Sequence, residues 1–343
     1  MKVALVELSS SHDECLYTQV IALRSKQARI TMICNQELER RISTYDGVDD
    51  FIFVKSKLSF RDTFKLWLKL HQFDKVVFNT ATGKAIRRLM LFPFPKSTEL
   101  IGIAHNTKKL SNSLFQKFIS RKIRKYFLLN DYLLDTIVSK PASLQIKTFY
   151  PILFPDQTVE NTKQNGETWI CIPGRIENRR RDYLGLLNAL KGVRLPDGLK
   201  FIFLGGGAHN HGDGPEIRSK VRELGLDSHF KTWDHFVETK EFHNYLYNSD
   251  FIMPLIHPGH VSFDLYTYQI TGAFNLAFGL KKPLLMHESF SKYEDFRDTS
   301  VFYTIDTLKE TITQLNLLPM PKFNLDKWTT DYQLNSYLTL LSN

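Results

Sequence analysis

The chain has 343 residues, 43% hydrophobic and 24% charged, a length and mixture that allow two α/β domains and exclude a disordered or fibrous polypeptide. Three widely separated cysteines, Cys15, Cys34 and Cys171, make no disulfide framework and lack zinc-ligand spacing, so a reducing compartment is the expectation. Lysine and arginine number 45 against 36 acids, a net charge of +9, which favours a phosphate-bearing partner without naming nucleotide, lipid or nucleic acid.

The first apolar run, VALVEL at 3–8, is too short for a signal-peptide core, and no run of about 18 apolar residues occurs. A cytoplasmic protein, or one peripheral on the inner face of a membrane, is expected. Strand-like runs follow at 29–34, 50–54, 74–78, 99–104 and 126–129, with helical periodicity between them, notably over 59–71. Strand, helix, strand at this spacing predicts a parallel sheet. Near 150–168 the pattern gives way to an aperiodic polar stretch with two prolines, the expected boundary. Alternation resumes with strands at 169–173, 200–207, 229–233, 250–256 and 282–286, and helices at 182–191, 215–225, 238–247 and 272–280. The expected organisation is α/β: two tandem doubly wound, Rossmann-like domains facing across a cleft, with domains at 1–155 and 156–324. A terminal helix over 325–343 would pack back toward the first domain.

In open parallel sheets, ligands bind beyond the carboxyl ends of the strands. The loop at 172–182 is the richest: a strand ends at Pro173, Gly174 turns the chain, and Arg175, Arg179, Arg180 and Arg181 precede a helix. Cations at a helix start are locally unfavourable unless an anion joins them, and guanidinium forks with backbone N–H groups suit a diphosphate. In the first half, His105 directly follows a strand; a capping or partly buried role fits it equally. Ser10, His12 and Glu14, after the first strand, line the acceptor side or cap the next helix, and capping is the favoured reading. The triple glycine 205–207 reads as a turn. The stretch 108–125 reads as a basic amphipathic helix, with Leu114, Phe115, Phe118 and Ile119 on one side; such a helix either rests on anionic lipid or packs on its own sheet.

Gly174-Arg175, five residues and then Arg181 before a helix resembles the donor-site motif of GT-B glycosyltransferases, especially those similar to family four. The resemblance implies transfer from a nucleotide-diphosphate sugar to a glycan or lipid-linked acceptor, as in polysaccharide biosynthesis, with retention of configuration. It implies that Arg175 and Arg181, with Arg180 as alternative, grip the diphosphate. Thr271, Gly272 and Ala273 would offer N–H groups to the distal phosphate, Phe236 would lie near the base, and His105 would face the transferred sugar. The family's two glutamates have no counterpart at the matching positions. Asn275 stands near one of them as a hydroxyl ligand, and Asp264, in the loop from His257 to Tyr268, is the nearest carboxylate. No metal and no cofactor beyond the donor are expected: no Asp-x-Asp pair is present, and His209 and His211 stand alone. Two further readings keep the scaffold: an epimerase or phosphorylase, and a non-catalytic partner subunit that has lost its acids. Nucleic-acid binding explains the charge alone. A dinucleotide oxidoreductase lacks its GxGxxG after the first strand.

Overall fold

The computed structural model describes residues 1–137, 143–206 and 213–342. They divide into two compact units. One holds Met1–Pro155, Tyr268–Ile270 and the chain from Thr329 on; the other holds Asp156–Thr267 and Thr271–Trp328.

The first unit is a seven-stranded parallel sheet of β1 (Lys2–Glu7), β2 (Arg29–Asn35), β3 (Asp50–Val54), β4 (Lys75–Phe78), β5 (Glu99–Ile103), β6 (Lys125–Leu128) and β7 (Gln145–Thr148). Its order is β3-β2-β1-β4-β5-β6-β7. Central strands such as β1, KVALVE, are buried on both faces, as a sheet covered by helices on each side requires. The intervening helices are α1 (Leu16–Arg24), α2 (Glu39–Ile42), α3 (Phe60–Leu70), α4 (Gly83–Leu89), α5 (Thr107–Asn112) and α6 (Leu114–Ile119). Ser59 and Asp62 close a reciprocal capping box at the start of α3, satisfying two N–H groups the helix leaves open. Ser113 is extended and caps α6 by accepting from Gln116 N–H, so the single amphipathic helix expected over 108–125 is two short ones. In consequence Leu114 and Phe115 face solvent while Ile119 is buried.

The second unit holds β8 (Thr168–Pro173), β9 (Leu199–Gly206), β10 (Phe230–Trp233), β11 (Phe251–Ile252), β12 (Leu284–His287) and β13 (Ser300–Tyr303), ordered β10-β9-β8-β11-β12-β13. Its helices are α7 (Tyr183–Ala189), α8 (Gly214–Glu223), α9 (Thr239–Asn248), α10 (Val261–Thr267), α11 (Gly272–Leu280), α12 (Glu294–Arg297) and α13 (Leu308–Thr313). Strands β7 and β13 add to the sequence pattern; both are four-residue edge strands, QIKT with one apolar residue and SVFY too short to stand out as a run. The loop expected between His257 and Tyr268 folds instead as α10. The last helix, α14 (Thr330–Ser342), starts five residues after the expected boundary.

Helix α14 belongs to the first unit and packs on α1. Tyr337 is fully buried there, its ring stacked 4.8 Å from Phe127. No helix among the described residues is long and apolar enough to cross a membrane.

Candidate functional site

Each sheet reverses its winding once, between β1 and β4 in the first unit and between β8 and β11 in the second. At such a switch point the loops diverge and leave a crevice at the strands' carboxyl ends.

At the first switch point Glu7, fully buried at the end of β1, accepts from Ser9 N–H and hydroxyl (both 2.7 Å), Asn79 Nδ2 (2.8 Å) and the Thr80 hydroxyl (2.6 Å). Burial raises its pKa, and these four donors only partly offset it. Asn79 Oδ1 accepts from Gln19 Nε2 (2.7 Å), and Gln19 Oε1 from the Tyr337 hydroxyl (3.0 Å). A buried relay therefore runs from α14 to Glu7.

The serines do not cap α1. His12 takes a left-handed conformation, φ 70°, ahead of a 3-10 turn at Asp13–Cys15, and neither that turn nor α1 has a side-chain cap. Ser9 binds Glu7, and Ser10 is exposed, its carbonyl accepting from Arg41. The turn brings the His12 ring onto His105, centroids 4.0 Å apart. His105 Nε2 lies 2.6 Å from the Asn79 carbonyl; a carbonyl only accepts, so Nε2 carries the proton and Nδ1 keeps its lone pair. Burial, reinforced by His12, pushes the His105 pKa down to about 3. For His12 burial also acts downward but is outweighed by Glu14, 3.5 Å away, and by Glu7 and Asp13, so its pKa rises. The pKa values of the two stacked imidazoles are thus pushed apart, the kind of arrangement by which one site supplies both an acid and a base. Burial and repulsion from Glu14 lift Asp13 to about 6 against its ion pair with Arg41.

Glu7, Asn79 and Asn130 are the residues the sequence reading missed. Asn130, after β6, is fully buried, and neither atom of its carboxamide has a partner among the described residues. A lone Glu or Asn ending an apolar run carries no signal of its own.

At the second switch point the loop after β8 behaves differently from the expectation. Arg175, Arg179 and Arg180, 57%, 74% and 51% exposed, all pair with the one Glu177 carboxylate. Three cations sharing one anion leave the cluster at net +2, and burial of Glu177 is overcome by the three guanidiniums, which lower its pKa. Arg181 is 6% exposed, and its Nη1 lies 3.4 Å from the Arg175 carbonyl, beneath Gly174. It braces the loop from inside; its Nε has no partner among the described residues. The amino end of α7 is already capped: Asp182 Oδ1 accepts from Gly185 N–H at 2.8 Å. Asp182 Oδ2 also holds the buried His257 Nδ1 at 2.7 Å, and His257 Nε2 meets the Tyr303 hydroxyl at 2.8 Å. Hence the α7 terminus, occupied by its own carboxylate, is not an open anion site.

Helix α11 carries a neutral hydroxyl cap instead of a carboxylate. It packs on β8 and β11 and starts at the exposed Gly272, where nothing stands within 4 Å of a Cβ position. Thr271 and Ala273 are buried, the Thr271 hydroxyl accepting from Ala273 N–H. Asn275, one turn in, is 3% exposed with neither carboxamide atom partnered among the described residues. Asp264 is exposed in the first turn of α10, and Phe236, 59% exposed, has no ring contact among the described residues. Gly205 lies inside β9, not in a turn; a Cβ there would stand 2.3 Å from the Gly174 carbonyl oxygen. Gly207, His209 and His211 lie outside the described residues.

No protein-family model matches the chain, and no curated protein matches its sequence. Solved structures match its fold. A glycosyltransferase from Rickettsia africae superposes with a TM-score of 0.62 at 13% identity, covering 100% of this chain and 93% of that one. Anabaena HepE, solved in complex with UDP, gives 0.62 at 13% identity, covering 100% and 95%. A Listeria monocytogenes protein provisionally assigned as a UDP-N-acetylglucosamine 2-epimerase gives 0.59 at 13%, covering 99% and 95%. The chain has the α/β fold of the GT-B glycosyltransferases.

Proposed function

We propose that the chain is a retaining, metal-independent hexosyltransferase that moves a sugar from a nucleoside-diphosphate sugar to a glycan or lipid-linked acceptor, in polysaccharide assembly at the cytoplasmic side. The observation that carries this reading is the guanidinium cluster after β8, three exposed arginines sharing one carboxylate, on a unit whose α11 opens toward unfilled space. Arg175 and Arg180 grip the diphosphate and Arg181 holds their loop in place. Residues Thr271, Gly272 and Ala273 turn the α11 dipole toward the distal phosphate. Asn275 gives its unpartnered carboxamide to a donor hydroxyl, Phe236 lines the base, and Asp264 offers a carboxylate to the sugar. Neutralising the departing diphosphate with fixed cations and a helix end stabilises the charge that grows in the transition state. In the first unit His105 faces the transferred sugar, and His12 and Glu14, with Ser10 at the rim, receive the acceptor.

Calorimetric titration with UDP, GDP, CDP, dTDP and ADP tests this. One diphosphate is expected to bind, and Arg175→Ala and Arg180→Ala each to weaken it about 5- to 150-fold, the 1–3 kcal/mol of a charge-assisted contact. Wild-type affinity in both variants refutes the placement.

The second reading is epimerisation of the nucleotide sugar itself, favoured by the acid and base imidazoles and by the fold shared with the Listeria protein. Incubation of the bound sugar nucleotide in deuterated water without acceptor separates the two: epimerisation puts deuterium on the ring, whereas glycosyl transfer leaves it unlabelled.

A further inference from the structure

The helical layer of the first unit that lies away from α1 and α14 has an outer surface that neither sheet nor site uses. Helix α3 is apolar on two sides. Thr63, Leu66 and Leu70 face the sheet, while Phe60, Phe64 and Leu68 are 59%, 42% and 48% exposed. Leu91, 61% exposed, extends this surface through the segment Leu91–Lys96. That segment is held firmly: the Trp67 indole donates to the Pro93 carbonyl at 2.7 Å, Lys122 Nζ donates to the Phe92 carbonyl at 2.5 Å, and the Trp67 and Phe92 rings stack at 5.2 Å. Helix α4 packs against both α3 and α6, and α6 adds Leu114 and Phe115, 78% and 63% exposed, with the Arg87 guanidinium 4.2 Å over the Phe115 ring. Large apolar side chains clustered this way on a rigid platform mark an interaction surface.

The charge around it says what the partner is. Between residues 60 and 125 the sequence has fifteen Lys and Arg and three acids, an excess larger than the net charge of the whole chain. Glu99 pairs with Lys75 and Lys125, while Asp62, in the α3 capping box, and Asp74, on Lys2 N–H, keep their own charge. Three acids against fifteen cations leave the stretch at +12. Beside α6 a recess of about 310 Å³ is lined by Lys117, Arg121 and Arg124. A second, of about 510 Å³, lies between Lys122, Arg124 and the Pro93–Pro95 turn, with Glu99 and its partner Lys125 also in its wall.

We propose that the outer surface of α3, α4, α6 and Leu91–Lys96 docks on an anionic lipid bilayer. Phe60, Phe64, Leu91, Leu114 and Phe115 enter the headgroup and acyl boundary, and the lysines and arginines around them meet lipid phosphates. A second copy of this chain would bring like charges together, and a nucleic acid would match the cations but leave Leu68, Leu91 and Leu114 in water. Anionic lipid satisfies both components.

The test is cosedimentation of the full chain with phosphatidylcholine vesicles and with vesicles containing 30% phosphatidylglycerol, without donor or acceptor, so that the outcome is independent of the proposed chemistry. Binding at least tenfold stronger to the anionic vesicles is expected, falling in high salt. It should drop tenfold or more both in Phe60→Ser/Phe64→Ser/Leu91→Ser and in Lys117→Glu/Arg121→Glu/Arg124→Glu, each checked for an unchanged melting temperature. These positions are exposed, so the folded core does not depend on them. Absence of vesicle binding overturns the proposal. So does binding that survives either variant, or self-association of the free protein that the apolar variant removes.

Discussion

Gly205→Ala probes the contact that seats the arginine loop. In the folded chain an alanine Cβ at 205 would stand 2.3 Å from the Gly174 carbonyl oxygen, 2.4 Å from its carbon and 2.9 Å from Arg175 N. All are backbone atoms, so no side chain can swing aside. Restoring a tolerable separation means moving the ends of β8 and β9 apart by roughly 1 Å. The Gly174 N–H now donates to the Leu204 carbonyl at 2.7 Å; lengthened by that amount it lies outside hydrogen-bond range. Losing one buried backbone bond, with the strain of the added methyl, costs about 2–4 kcal/mol. Urea unfolding should show this as a lower midpoint with an unchanged slope. The same displacement carries Arg175 with it, so diphosphate affinity should fall about tenfold or more in whatever fraction remains folded. Gly272→Ala is the control: open space surrounds its Cβ position, so its stability should stay within about 0.5 kcal/mol of wild type. A Gly205→Ala protein with wild-type midpoint and affinity would show that the close approach of β9 to the loop is not a constraint.

Tyr337→Ala should cost about 3–5 kcal/mol, because it empties a fully buried ring site between Phe127 and Phe149 and leaves Gln19 without its hydroxyl donor; thermal unfolding that matches wild type would mean α14 does not belong to the first core. The folded-state pKa of Asp13 lies above its usual 3.8, at about 6, so its contribution to stability is fully present below about 4 and disappears as pH rises through about 6. Asp13→Asn should therefore flatten the stability profile in that window by on the order of 2–3 kcal/mol, read from denaturation midpoints at pH 4 and pH 7; an unaltered profile argues against a strained carboxylate. Nitrogen-15 spectra of the imidazoles should show His105 neutral with its proton on Nε2 down to about pH 4, while His12 titrates above the ordinary histidine range. A cationic His105 at pH 6 would exclude the paired acid and base.

Much of the architecture is written locally. The apolar runs that became β1, β2, β4, β5, β8 and β9 are continuous because each is buried on both faces of a parallel sheet, and α11 begins at Gly272 and ends at Leu280, as periodicity predicted. The arginines after β8 were legible because four cations before a helix stand out against the helix dipole. What those arginines do was not. Glu177, half-buried and shared by three of them, and Asp182, which caps α7 while holding His257, are ordinary acids in sequence, and only folding brings His257 and Tyr303 to Asp182. Gly205 read as a turn because a glycine's reason can be another strand's backbone, and that backbone is thirty-one positions away in the chain.

The first unit shows the same division. A histidine at the end of β5 was visible; its stacking on His12, and the relay from Tyr337 through Gln19 and Asn79 to Glu7, join residues that periodicity never relates. The basic stretch at 108–125 was equally plain in the residues, yet its outward face could not be read as one helix. Ser113 breaks it, and the exposed aromatic platform beside it comes from α3 and Leu91–Lys96. Composition and periodicity determine elements and net charge because they act within a few residues. Burial, ion pairing and protonation depend on neighbours distant in sequence, and the tertiary fold alone chose them.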